Sequence, residues 1–253
     1  MPAGIARVVA LGASNLTRGL HHLVSTARVA WGPNVEVLAA LGHGRSYGAS
    51  SSFIVRTLPA ILACGLWREL ETRSKVPTRA LVTDVGNDIL YGYSAEQTLD
   101  WVREAVERLQ RVTRDIVLTD LPLDSVRRLS PAKFMAFRSM LVPSCRLSLA
   151  HVTETAERVN AGLADLAASH GVTFRRLNPA WYGFDPIHIR PSCWRPAWQE
   201  ILGCAARDDG GRSWREAVRL YLLRPERRWL LGMEQVTPQR GVVLRAGGRV
   251  WLY

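Results

Sequence analysis

The sequence predicts an α/β protein in which a doubly wound parallel sheet is covered by helices on both faces. Three observations carry this: short apolar runs recur along the chain, segments with apolar residues at three-to-four spacing separate them, and loops bearing Gly, Asn or Asp follow the runs. Five runs, at residues 5–11, 35–41, 80–84, 116–120 and 172–177, read as strands. Residues 16–29, 52–66, 95–112 and 153–169 read as the helices between them. Right-handed crossovers in that order place ligands outside the carboxyl ends of the strands.

Residues 123–148 break the pattern with Pro131 and Pro143, just after Pro122, and read as an insertion holding one short helix, with a lid or substrate wall as one use. A further helix is expected at 192–206, then a turn or linker at Arg207-Asp208-Asp209-Gly210-Gly211. Residues 214–223 read as one more helix. Residues 242–253 read as a hairpin, because Gly247-Gly248 between β-prone runs suits a turn with positive φ. The expected organisation is a main domain over 1–206 and a small C-terminal helix-plus-hairpin appendage over 207–253, packed on the same domain, touching a second subunit, or edging the site.

With 253 residues, 47% of them hydrophobic, the chain can bury one large core. The formal charge of +11 raises nucleic-acid binding as a possibility. The positive residues are scattered, however, in pairs such as Arg127-Arg128 and Arg227-Arg228, with no run of five, so no nucleic-acid partner is expected. Cys64, Cys145, Cys193 and Cys204 form no C-x-x-C pair, which speaks against a zinc site or a dense disulfide framework. The start runs directly into an apolar strand and no apolar stretch has bilayer length, so a cytoplasmic protein without membrane insertion is expected.

Chemistry concentrates at the strand ends. Ser14 stands between the first strand and its helix, where unpaired backbone N–H groups favour a developing negative charge, although Ser14 or Asn15 could simply be the helix N-cap. Asp185 lies three residues before His188, a spacing that lets a carboxylate hold one imidazole nitrogen while the other acts as a base. Gly42-His43-Gly44-Arg45-Ser46 follows the second strand and Gly86-Asn87-Asp88 the third. Each can offer hydrogen-bond donors to an oxyanion, and each also reads as a plain turn.

Taken in order, these four segments resemble the blocks of the SGNH hydrolases, the GDSL-type esterases and lipases, over about residues 5–206. Ser14 in Gly-Ala-Ser-Asn is similar to the nucleophile block, Gly44 to the glycine block, Asn87 in Gly-Asn-Asp to the asparagine block, and Asp185 with His188 to the Asp-x-x-His block. The resemblance implies a flavodoxin-like three-layer α/β/α sandwich with a five-stranded parallel sheet, no metal and no cofactor. It also implies a catalytic triad of Ser14, His188 and Asp185 and an oxyanion hole of Ser14, Gly44 and Asn87, acting on a small-molecule ester. Two departures stand out: Ala13 occupies the position of the usual Asp, and the glycine block also aligns on Gly42.

Around these blocks, Arg45 is a candidate for an anionic substrate group, and Trp181 and Trp194 are candidates for a pocket wall, each set against a structural or core-packing role. Two rival functions remain beside a carboxylic-ester hydrolase acting on short-acyl or O-acetyl esters: an acyltransferase on the same residues, and a non-catalytic binding protein of the same fold.

Overall fold

The structure, a computed structural model, describes residues 5–143, 145–204, 214–244 and 247–253. Its centre is a seven-stranded sheet. The strands β1 (Ala6–Leu11), β2 (Val35–Ala40), β5 (Thr78–Val82), β6 (Asp115–Thr119) and β7 (Thr173–Arg175) are the five read from the sequence, and all pair in parallel. The expected sheet of five strands is wider by two: β11 (Arg249–Leu252) pairs in parallel with the edge of β2, and β10 (Val242–Val243) pairs antiparallel with β11. The full order is β10-β11-β2-β1-β5-β6-β7. Local pattern marked residues 242–253 as a hairpin, with Gly247 and Gly248 at φ +89° and +85° as a tight turn requires. Only the open edge of β2 made the hairpin part of the main sheet.

Alternation along β1 shows how the layers are filled. Val8 and Ala10 pack on one face with Leu16, Leu20 and Leu23 of α1 (Ser14–Trp31) and Trp198 and Ile201 of α8 (Trp194–Ile201). Val9 and Leu11 pack on the other with Leu66 and Leu70 of α2 (Leu66–Thr72), Val102 and Val106 of α4 (Ala95–Gln110) and Val159 and Leu163 of α7 (Leu149–His170). A strand buried on both sides has no polar face, which is why these runs read as continuous apolar stretches. Serines stop the helices at their N-termini: Ser94 and Ser148 accept hydrogen bonds from Gln97 N and His151 N.

Two expectations are corrected. Residues 52–66 are not a helix: they hold β3 (Ser51–Phe53), β4 (Arg56–Leu58) and a single 3-10 turn at Ile61–Ala63. The three-to-four spacing of their apolar residues arises because Leu58 and Ile61 turn into the interior from a hairpin, while Ile54 at its tip adopts φ +57° and stays exposed. This hairpin is held by a partner far along the chain: β4 pairs with β8 (Arg227–Leu230), which pairs with β9 (Met233–Val236), giving a second sheet β3-β4-β8-β9. The insertion holds two helices rather than one, α5 (Leu123–Arg127) and α6 (Pro131–Leu141), the second starting at Pro131 behind the Ser130 cap.

The helix expected at 192–206 is α8, preceded by a 3-10 turn at Pro191–Cys193, and the one at 214–223 is α9 (Trp214–Tyr221). The linker cluster at 207–211 lies outside the described residues. No helix among the described residues is long and apolar enough to cross a membrane. Cys64, Cys145, Cys193 and Cys204 are free thiols.

Candidate active site

Among the strands read from the sequence, the order is second, first, third, fourth, fifth, and a doubly wound sheet opens its crevice where chain direction across the sheet reverses, beside the first strand. Ser14 follows β1 at that point, and Asp84 follows the neighbouring β5. Ser14 is the first residue of α1, with Ala13 at the N-cap position and no capping side chain of its own. The cap comes from Asp84, whose Oδ2 accepts from Ala13 N and Leu16 N, both at 3.0 Å. The Ser14 hydroxyl is thereby released from the capping role open to it in the sequence.

Asn15 ties this helix start to the loop carrying the histidine. Its side-chain amide donates to Asp84 Oδ1 and to the Ile187 carbonyl, each at 2.9 Å, and its Oδ1 accepts from Ile189 N at 2.8 Å. Held on both sides, His188 places Nε2 2.9 Å from Ser14 Oγ and Nδ1 2.6 Å from Asp185 Oδ2. A carboxylate only accepts hydrogen bonds, so Nδ1 carries the donated proton and Nε2 is left to accept from the serine hydroxyl. Burial works against the Asp185 charge, but the His188 hydrogen bond and charge, with the Ile187 and His188 N–H groups on Oδ1, hold it below the usual carboxylate range. Asp84 and Asn15 were not singled out for this in the sequence. The only sign was an acid closing the third strand.

Ser14, His188, Gly44 and Asn87 line one cleft of about 30 Å³ with Arg18, His43, Phe53 and Tyr91. The backbone N–H groups of Ser14 and Gly44 carry no hydrogen bond among the described residues. Asn87, at the start of α3 (Asn87–Leu90), donates its side-chain amide to the Arg45 carbonyl at 3.2 Å. Gly44 sits at φ +67°, and its carbonyl accepts from Tyr91 Oη at 2.5 Å; a Cβ there would stand 2.7 Å from that oxygen. Gly42 packs against Leu58 and does not line this cleft, so of the two glycines the sequence left open, Gly44 is the one beside Ser14. Behind the loop, burial raises the Asp88 carboxyl to about 6, against hydrogen bonds from Ser46 and Tyr47.

A second cavity, of about 110 Å³, also reaches Ser14, shares Asn87, Leu90 and Ile187 with the cleft, and is otherwise lined mainly by Leu121, Val126, Leu129, Phe134 and Phe137. The 123–148 insertion supplies much of this wall. By the same measure one water needs only about 10–15 Å³, so the cavity has room for several carbon atoms.

The remaining candidates lie elsewhere. Arg45 is fully buried: its guanidinium donates through Nε and Nη1 to the carbonyls of Leu41 and Pro59 at 3.1 Å and to that of Tyr253, which fixes β11 to the glycine loop, while its buried Nη2 has no partner and lines neither cavity beside Ser14. Trp181 is a core residue on the α1 side of the sheet, and Trp194 donates its indole N–H to the Ile189 carbonyl at 2.9 Å; neither lines the two cavities beside Ser14. Among the described residues no cluster of His, Cys, Asp and Glu could hold a metal ion.

Fold and site together define an α/β/α protein with a hydroxyl, an imidazole and a carboxylate in one hydrogen-bonded line at the switch point of its sheet. No protein-family model and no curated protein sequence matches the chain. Solved structures do match. Est24, a carbohydrate acetylesterase from Sinorhizobium meliloti, superimposes with a TM-score of 0.53 at 12% identity, over 78% of this chain and 97% of that one. The native aryl esterase of M. smegmatis gives the same figures, a TM-score of 0.53 and 12% identity over 78% and 97%. A member of the lipolytic protein G-D-S-L family from Veillonella parvula DSM 2008 gives 0.50 at 15% identity, over 78% and 97%. The chain has the SGNH hydrolase-like fold.

Proposed function

We propose that the chain is a serine carboxylic-ester hydrolase working through an acyl-enzyme. The observation that carries this reading is the unbroken line from Ser14 Oγ through His188 to Asp185, ending in a cleft shared with Gly44 and Asn87. Ser14 attacks the ester carbonyl as His188 Nε2 takes its proton; His188 then returns the proton to the leaving alcohol, and water releases the acid by the reverse sequence. Asp185 holds the tautomer and stabilises the imidazolium. The N–H groups of Ser14 and Gly44 and the Asn87 amide receive the oxyanion, each contributing about 2–4 kcal/mol to the barrier reduction.

The leaving oxygen must reach His188, which lines only the small cleft, so the alcohol occupies that side and the acyl group the apolar cavity. This favours an aliphatic acyl chain longer than acetyl.

Hydrolysis of a p-nitrophenyl ester series from acetate to long acyl chains tests the reading, with Ser14→Ala alongside. Turnover rising from acetate to medium chains and falling by about 10⁴-fold or more in the variant is the expected result. A wild type that neither hydrolyses the series nor labels at Ser14 with a fluorophosphonate would leave the binding-protein alternative standing. Product analysis with an added alcohol separates hydrolase from acyltransferase.

A further inference from the structure

Arg18 lies one turn along α1 from Ser14 and lines the same small cleft, half-buried. Among the described residues it has no hydrogen bond or ion-pair partner, whereas Arg28 on the same helix is paired with Glu216 at 3.0 Å. Among the described residues no Asp or Glu lines the cleft. A second guanidinium stands behind it: Arg56 donates to the His43 carbonyl at 3.4 Å. His43 reports the resulting field, for burial and the charges of Arg18, Arg56 and His188 push its pKa down to about 4 and leave it neutral near pH 7. The cleft therefore brings an unpaired cation, a neutral imidazole and the Phe53 ring beside Ser14 and His188, with Leu90, Val142 and Ile187 also in its lining.

We infer that Arg18 is an anion-recognition residue, and that the preferred substrate is an ester whose alcohol portion carries a carboxylate. The inference rests on the hydrolase reading for which side of Ser14 is the alcohol side. A guanidinium half-open to solvent can meet such a group with two parallel hydrogen bonds at little desolvation cost.

The test compares 4-acetoxybenzoate with 4-acetoxybenzamide, which share acyl group and ring and differ in charge. The readout is the ratio of their kcat/KM values in the wild type, Arg18→Gln and Arg18→Lys, since the intrinsic reactivity difference cancels between proteins. The ratio should fall about tenfold in Arg18→Gln and be recovered only in part in Arg18→Lys, which keeps the charge and loses the fork. The same ratio in Arg18→Gln and wild type, with both esters turned over, overturns the inference and leaves the hydrolase reading intact. If the wild type turns over neither ester, the hydrolase reading is judged on the p-nitrophenyl series and Ser14 labelling, and calorimetric binding of 4-hydroxybenzoate against 4-hydroxybenzamide decides the inference. Preference for the carboxylate that disappears in Arg18→Gln supports the anion site, and equal binding of the two ligands refutes it.

Discussion

The two sides of Ser14 are built from different materials. On one side the insertion α5–α6 and the loop after β6 supply an apolar wall of Leu121, Val126, Leu129, Phe134 and Phe137. On the other, the loop after β2 and the β3–β4 hairpin supply His43, Gly44 and Phe53, facing Arg18 and Tyr91. In the proposed reading the apolar side selects by volume, because an aliphatic wall has no directional preference beyond filling space. In that reading the other side selects by charge, through Arg18, and by backbone geometry, through Gly44. The proposal thus gives one serine two filters, one for each half of an ester, and it requires that the frame carrying Ser14 and His188 stays fixed between them.

That frame is Asp84, and of the changes outside the triad its removal should have the largest effect. Asp84→Ala strands Ala13 N, Leu16 N and one bond of the Asn15 amide at once. It should cost about 2–4 kcal/mol in urea unfolding and lower ester turnover about 100-fold, for short and long acyl chains alike. Turnover within a few-fold of wild type would show that the helix start does not need this cap.

Gly44→Ala strikes the polar side alone. A side chain at φ +67° and 2.7 Å from Tyr91 Oη must shift the loop, so turnover should fall about 30-fold at every acyl length, with about 1–2 kcal/mol lost in stability. Val126→Trp is the counterpart on the apolar side: filling the cavity should reduce octanoate turnover about tenfold relative to acetate. If Gly44→Ala also altered the acyl preference, the two sides would not be independent.

The smallest effect separates the two sides by pH. Asp88 titrates near 6 behind the polar loop, and Asp120, also raised to about 6 by burial, lines the apolar cavity. A folded carboxyl raised above its ordinary 3.8 favours the protonated form, so each contributes a loss of stability as pH climbs from about 4 to about 6. Asp88→Asn should flatten that slope by roughly 1–2 kcal/mol, and only in part because Asp120 remains. Denaturant midpoints at pH 4.5 and 7 measure it; an unchanged slope would mean that Asp88 carries none of it.

Much of this architecture is legible residue by residue. Strand runs buried on both faces must be apolar throughout, and the loops at their carboxyl ends are the places where Ser14, Gly44, Asn87 and the Asp185–His188 pair are free to carry chemistry. What misled was any segment whose partner is remote. Residues 52–66 carry a helical spacing, yet pairing of β4 with β8 makes them a hairpin. Arg45 reads as a cation beside a glycine and is spent on the carbonyl of Tyr253 at the far end of the sequence. Arg18 drew no attention, because an arginine on a helix is unremarkable until its surroundings prove to lack a carboxylate.

The sequence by itself determined the order of the parallel strands along the chain, the positions of the loops at their ends and the residue types those loops present, because alternation, turn chemistry and helix periodicity act over a few residues. Only the tertiary structure decided that Asp84 caps the helix of Ser14, that Asn15 clamps the histidine loop and that the C-terminal hairpin closes the sheet edge. It alone also placed the apolar insertion wall on one side of the serine and Arg18 and His43 on the other. Those outcomes depend on contacts between residues tens to hundreds of positions apart, whose pairing is set by the packed core and not by any local pattern.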